Sequence, residues 1–420
     1  MPLPFPSLPT SGPVEPKPGE LWLNHRLTGV PCCALVASPR AAGDLSDHKL
    51  VLGPSGSGRT LLLARLGKVA HTAGRTVVFI EQSARGGTSP LRQVTERLDG
   101  SAVDLSTGAG FNPFWVPGPG LTGWAVPEGN IVEQLFHLLV ALFDFETPEA
   151  TRPKLRLRVL GYVLRGYYEK WTHPDAYWSP ARDFWQSRSG HPDQQWHEGP
   201  SFNSFYEFMM LEAGCNRTPD FEEAYTWLLA TSRKYYAGNT YDYLLNALPA
   251  RQGELLSNPA RAYYFGWPAT TPSPAVTRAY WVLLYSLDTY LSAGSAHYDG
   301  QRLSVITNGL PSGYIEETQL DLTYIHLHTW RSFNRELVVG SAHLPVWSLL
   351  SDLTTKLLLP GCLHEPAAAV ELGLSAELAA QVQQMSPQKR EVALLVGQRC
   401  TIYSALLAPA HLALYQSQWL

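Results

Sequence analysis

The residues best suited to chemistry lie between Gly53 and Thr60. The run Gly53-Pro54-Ser55-Gly56-Ser57-Gly58-Arg59-Thr60 opens on a glycine, closes its turn on another and ends in a cation and a hydroxyl. In that spacing the glycines let successive backbone N–H groups turn inward around phosphate oxygens. A helix that starts at the last residues points its positive end at the same anion. Thr60 then supplies the hydroxyl that ligates Mg2+, and the residue before it supplies a cation for the outer phosphates of ATP. That cation is usually lysine. Here it is Arg59, which keeps the charge but is longer, planar and forked. A glycine-rich turn without a ligand is the alternative for so short a pattern. The neighbouring sequence favours the phosphate loop, because an apolar strand is expected before it at Lys49–Leu52 and an apolar helix after it at Thr60–Ala70.

The elements that must hold this loop follow from hydrophobic period. Thr76–Ile80 is continuous, apolar and β-branched, as a strand covered on both faces should be, and Ala102–Leu105 is a further strand. Strand, turn, helix, strand predicts a parallel α/β sheet. The middle of the chain differs. Segments 131–145, 152–170 and 220–246 have helical period, and 172–200 is crowded with Trp, Pro, His and Asp and reads as loop. The sheet pattern resumes at Tyr263–Trp267, followed by a helix over 275–293, a strand at Leu303–Thr307, a helix near 315–330 and a strand at Glu336–Ser341. Helices near 346–358 and 375–385 and strands at Glu391–Gly397 and Cys400–Tyr403 complete the chain. The resulting organisation is a disordered lead-in at 1–18 and a core from 19–114 and 261–410. A mostly helical insertion occupies 115–260, and 411–420 is a tail.

Composition bounds the function. The chain has 420 residues with a net charge of −4, so it has no overall basic character of the kind that holds nucleic acid through counterion release, which argues against nucleic acid as a partner. Its five cysteines, Cys32, Cys33, Cys215, Cys362 and Cys400, are scattered, and no CxxC pair supports a disulfide framework or a zinc site. The proline-rich start lacks the basic and apolar regions of a secretory signal. No apolar run reaches the ~18 residues of a membrane helix, so the expected location is cytoplasmic, reaching the inner membrane only through partners.

Several motifs in order resemble one family. The loop GPSGSGRT, the strand Thr76–Ile80 and Phe111-Asn112-Pro113-Phe114 are similar to the TraG-type ATPases of Bacteroidetes-type conjugation and type IV secretion. Pro200–Phe208 (PSFNSFYEF), Tyr235–Asn246 (YYAGNTYDYLLN) and Leu255-Leu256-Ser257 extend the likeness over about 19–410. The resemblance implies a RecA-like P-loop NTPase core, ATP and Mg2+ as ligands, and assembly as a homo- or hetero-hexamer with other subunits of the secretion apparatus. It also implies an N-terminal docking domain that this sequence lacks ahead of the loop.

Against that pattern the sequence departs at catalytic positions. The family has two acidic residues after the strand that matches Leu303–Ile306, where this chain has Thr307 and Asn308, neither ionisable at neutral pH. Where the family ends the next strand in a polar sensor, usually Thr-Gln, this chain has Gly340-Ser341. Arg331 matches a family arginine that would act across a subunit interface, and a surface arginine in a local salt bridge is the alternative. Glu81, at the end of its strand, and Glu316 or Glu317 are acids that could stand in for the lost pair. The expectation is a pseudo-ATPase subunit beside an active paralogue. The competing expectation is a slow ATPase with a relocated acid. The aromatic residues Tyr167, Tyr168, Trp171, Trp178, Trp185 and Trp196 are expected to pack the insertion rather than stack on bases.

Overall fold

The computed structural model describes residues 20–25, 31–36, 48–83, 89–105, 111–115, 129–143, 153–172, 200–212, 218–239, 241, 245, 260–268, 278–287, 303–309, 335–345, 350, 353–363, 366–397 and 399–404. Several expectations therefore lie outside the described residues: the lead-in and tail, most of the loop at 172–200, the helix near 315–330, Arg331, Glu316 and Glu317.

Among the described residues one sheet of eleven strands organises the fold. The strands are β1 (Glu20–His25), β2 (Pro31–Val36), β3 (Lys49–Leu52), β4 (Thr76–Ser83), β5 (Ser101–Asp104) and β6 (Ala262–Pro268). They continue with β7 (Leu303–Asn308), β8 (Glu336–Ser341), β9 (Thr355–Leu358), β10 (Glu391–Val396) and β11 (Arg399–Ser404). Their spatial order is β2-β1-β11-β10-β9-β3-β8-β7-β4-β6-β5. From β9 to β5 all pairs are parallel, and from β9 back to β2 all are antiparallel.

Side-chain alternation gives the central strands two buried faces. Helix α1 (Arg59–Thr72) covers one, setting Leu62, Leu63, Leu66 and Val69 against Val51, Val77, Phe79, Ile306 and Val338. A second short helix, α2 (Pro90–Arg97), starts where Ser89 accepts the Leu91 N–H, with a proline in its first turn. Leu50, Leu52, Val78, Ile80, Val305 and Val339 face the other side. There they join the helices between β5 and β6: α3 (Gly129–Leu142), α4 (Pro153–Thr172), α5 (Phe202–Glu212) and α6 (Pro219–Ser232).

The family-like segments do structural work at that junction. Asn112 accepts the Phe114 N–H at 3.1 Å and donates to the Pro200 carbonyl at 2.9 Å, tying the chain after β5 to the start of α5. Phe114 meets Tyr167, Phe202 and Phe205 ring to ring. Asn203 accepts the Ala237 N–H at 3.0 Å and Tyr236 donates to Glu207 at 2.5 Å, so the segments at 200–208 and 235–246 lock onto each other. Tyr167 and Tyr168 are buried in this cluster, as packing residues should be.

Two of the expected helices take a different course. Residues expected to end a helix near 358 form β9, inserted beside β3. Leucine-rich runs of this length have no decisive period, and the Pro360-Gly361 that follows ends a strand here. The helix expected over 220–246 stops at Ser232 and passes into a 3-10 turn at Arg233–Tyr235. Buried Tyr235 donates to the Leu142 carbonyl at 2.6 Å, and Gly238 takes φ 77°, so tertiary packing turns the chain before the helical period runs out.

Candidate functional site

The sheet register brings the candidate residues to one edge. Val51, Gly340, Asn308, Glu81, Gly266 and Asp104 are successive partners across five parallel pairings, at the C-terminal ends of their strands. In parallel α/β sheets that edge is where ligands bind. Between β3 and α1 the loop Gly53–Gly58 makes its turn with Gly56 at φ 81° and Gly58 at φ 91°, conformations that a side chain rarely tolerates. Gly53 donates to the Ser341 carbonyl at 3.0 Å, and Ser57 to the Pro54 carbonyl at 3.2 Å. Helix α1 begins with no side-chain cap and no acidic residue in its first turn. Its first N–H groups and positive end are therefore left for an anion. The Ser57 hydroxyl is buried beside them with no hydrogen-bond partner.

Five side chains close a network on the α1 face. Arg59 Nη1 donates to the Gly53 carbonyl at 2.7 Å and Nε to Asn308 Oδ1 at 3.2 Å. Asn308 Nδ2 donates to Thr60 Oγ1 and to Glu81 Oε2, each at 3.1 Å. Tyr264 donates to Glu81 Oε1 at 3.0 Å. Glu81 is buried. Burial and the neighbouring Glu81 charge and hydrogen bond push the Tyr264 phenol well up, so it stays a donor. Burial lowers the Arg59 guanidinium from its ordinary value, and with so high a starting point it keeps its charge at neutral pH.

Of the residues singled out in the sequence, Arg59, Thr60 and Asn308 come together as a site. Thr307 does not join them. It shares strand parity with Val305, and its hydroxyl donates to the Gly309 carbonyl at 2.7 Å. Ser341 lies beside Leu52 at the loop's root, but its hydroxyl donates to the His343 carbonyl. Glu81 is in the network. Tyr264 was not singled out, because nothing in the sequence separates it from Tyr263 until the β4–β6 register is known. Among the described residues no cluster of three His, Cys, Asp or Glu side chains could hold a metal.

A parallel sheet with a glycine loop at the mouth of a central strand, followed by a helix on one face, defines a RecA-like P-loop NTPase fold. The model of the TraG P-loop domain family matches residues 20–259, more than half of the sequence, and the chain belongs to that family of conjugation and type IV secretion ATPases.

Among solved structures, VirB4 of Thermoanaerobacter pseudethanolicus is similar at a TM-score of 0.65 and 15% identity, over 95% of this chain and 99% of that one. The conjugative coupling protein TrwB, in its unbound form, is similar at 0.50 and 12% identity, over 88% and 90%. TrwB in complex with the ATP analogue ADPNP is similar at 0.50 and 13% identity, over 88% and 91%. At these identities the likeness is one of fold. Among curated protein sequences no relative matches.

Proposed function

We propose that this chain is a nucleotide-binding subunit of a conjugative-transfer or type IV secretion apparatus whose ATP hydrolysis is impaired. Asn308 carries the reading. It faces Thr60 from the end of β7, where a catalytic P-loop site needs a carboxylate, and an amide cannot take a proton from water at neutral pH. The loop fits phosphate: its glycines allow the turn, its helix start is uncapped, and Ser57 offers a buried hydroxyl without a partner. A nucleotide would bring a polyphosphate to Gly53–Thr60, with Arg59 as the side-chain cation. The TrwB complex with ADPNP supports a nucleotide as the ligand.

In this reading the subunit works on the cytoplasmic side, in a ring with an active paralogue. Arg331 serves the neighbouring subunit's nucleotide. The segments 19–114 and 261–410 form the nucleotide-binding core, and 115–260 is the insertion built on it.

A second reading, slow hydrolysis with a relocated acid, is favoured by one specific observation. The Glu81 carboxylate reaches the Asn308 amide at 3.1 Å and is steadied by Tyr264. A general base contributes ~10²–10⁴ in rate, so the two readings separate cleanly by measurement. ATP binding by calorimetry and phosphate release would be read on the same samples of wild type, Arg59→Ala and Glu81→Gln. Binding that Arg59→Ala weakens, with release no greater than in Glu81→Gln, supports the impaired subunit. Release that Glu81→Gln abolishes replaces it with the slow ATPase.

A further inference from the structure

The neighbours of Asn308 fix which end of its amide points where. Arg59 Nε can only donate, so the atom 3.2 Å from it is the carbonyl Oδ1. The Glu81 carboxylate accepts, so the atom 3.1 Å from its Oε2 is Nδ2. Turning the amide over would set donor against donor at Arg59 and acceptor against acceptor at Glu81. The orientation that satisfies both places the same Nδ2 against Thr60 Oγ1.

The hydroxyl expected to ligate Mg2+ is thus met by a polarised N–H and not by a carboxylate oxygen. Mg2+ selects hard oxygen donors in near-octahedral array, and Asn308 turns its oxygen to Arg59 and brings none to Thr60 Oγ1. Glu81 meets Thr60 through that amide, with its Oε2 taking the Asn308 N–H and its Oε1 the Tyr264 hydroxyl. The cation of the site is the Arg59 guanidinium, held at the Gly53 carbonyl and at Asn308 Oδ1. A planar guanidinium binds phosphate oxygens in pairs and carries its charge without a metal.

We propose that the loop binds the phosphates of a nucleoside triphosphate without Mg2+, with Arg59 as the counter-cation that the metal supplies in a lysine-type site. Metal-free binding rests on the nucleotide-binding reading and deepens it. Lysine in place of arginine would leave the outer phosphates dependent on the metal. An aspartate in place of asparagine would restore an oxygen at Thr60.

The test is calorimetry of ATP binding to the full chain in excess EDTA and in excess MgCl2, for wild type and Asn308→Asp. The wild type should bind with a Kd that changes by less than about fivefold between the two buffers, and Asn308→Asp should bind more tightly with Mg2+ by more than that. A wild-type Kd about fivefold or more weaker in EDTA overturns the metal-free site and leaves nucleotide binding standing. Absence of binding in both buffers overturns both. Should Asn308→Asp fail to fold, the wild-type comparison decides alone.

Discussion

In the proposed reading the chemistry of this chain turns on two residues, Arg59 at the glycine loop and Asn308 at the end of β7. Arg59 and Asn308 were legible in the sequence because the loop and strand motifs fix where a lysine and a carboxylate belong. The bond between them was not, because it joins residues brought together only by the sheet. Glu81 could be named as an acid at a strand end, but its place beside Asn308 depends on the β4–β7 pairing. Removing the cation should weaken ATP by roughly ten- to hundredfold in Arg59→Ala, since a hydrogen bond to a charged group contributes about 1.5–3 kcal/mol. Tyr264→Phe would leave Glu81 Oε1 without its donor and should cost about 1–3 kcal/mol in urea denaturation. The raised Tyr264 phenol also sets a pH sign. Its contribution is fully present below the unfolded phenol's value of about 10 and is lost as pH rises through the higher folded value. Denaturation midpoints should therefore fall on the alkaline side less steeply in Tyr264→Phe than in wild type, and equal slopes would refute the assignment.

At the scale of elements, strands buried on both faces announced themselves. Lys49–Leu52 and Glu336–Ser341 have the expected bounds because short β-branched or apolar runs between turn residues leave little choice. The strand Thr355–Leu358 escaped because leucine also builds helices, and only pairing with β3 on one side and β10 on the other decides its state. Helix α6 ended early for a similar reason, since the buried Tyr235 ring is a tertiary demand. How closely α1 lies on the sheet was also hidden. At Gly67 an added methyl would sit 2.2 Å from Phe79 Cζ, so Gly67→Ala forces α1 off β4 despite its better helix propensity. Overpacking of this kind costs about 1–3 kcal/mol, read as a lower denaturant midpoint at unchanged slope. A stabilised Gly67→Ala would show that α1 sits farther from the sheet.

At the scale of the whole molecule, two features remote from the loop bind the fold together. At the opposite edge of the sheet Lys49 and Arg75 pair with Glu336, all three buried. Burial alone would raise the Glu336 carboxyl, but Lys49, Arg75 and the Lys49 hydrogen bond hold it below its ordinary value. A lowered folded value means stability present above the unfolded carboxyl's ~4.3 and lost as pH falls through the folded one. Glu336→Gln should destabilise by about 3–5 kcal/mol at pH 7 and by less in acid, since it removes a negative charge beside two buried cations only where that carboxyl would otherwise be ionised. The second feature is the continuous core from the sheet through Phe114 into α4 and α5. It packs the helical segments onto the sheet, so the two are expected to unfold as one cooperative unit. Scanning calorimetry should show a single transition that Phe114→Ala shifts down as a whole, by about 3–5 kcal/mol, and two separated transitions would refute that unity. The proposed reading is a fold kept whole around a site where β7 ends in an amide at Thr60. Its most direct test is phosphate release from ATP by purified protein under saturation established by calorimetry, with Thr60→Ala and Glu81→Gln as controls. Saturable ATP binding is expected, with release no faster in wild type than in either variant. Release that both variants abolish would contradict it.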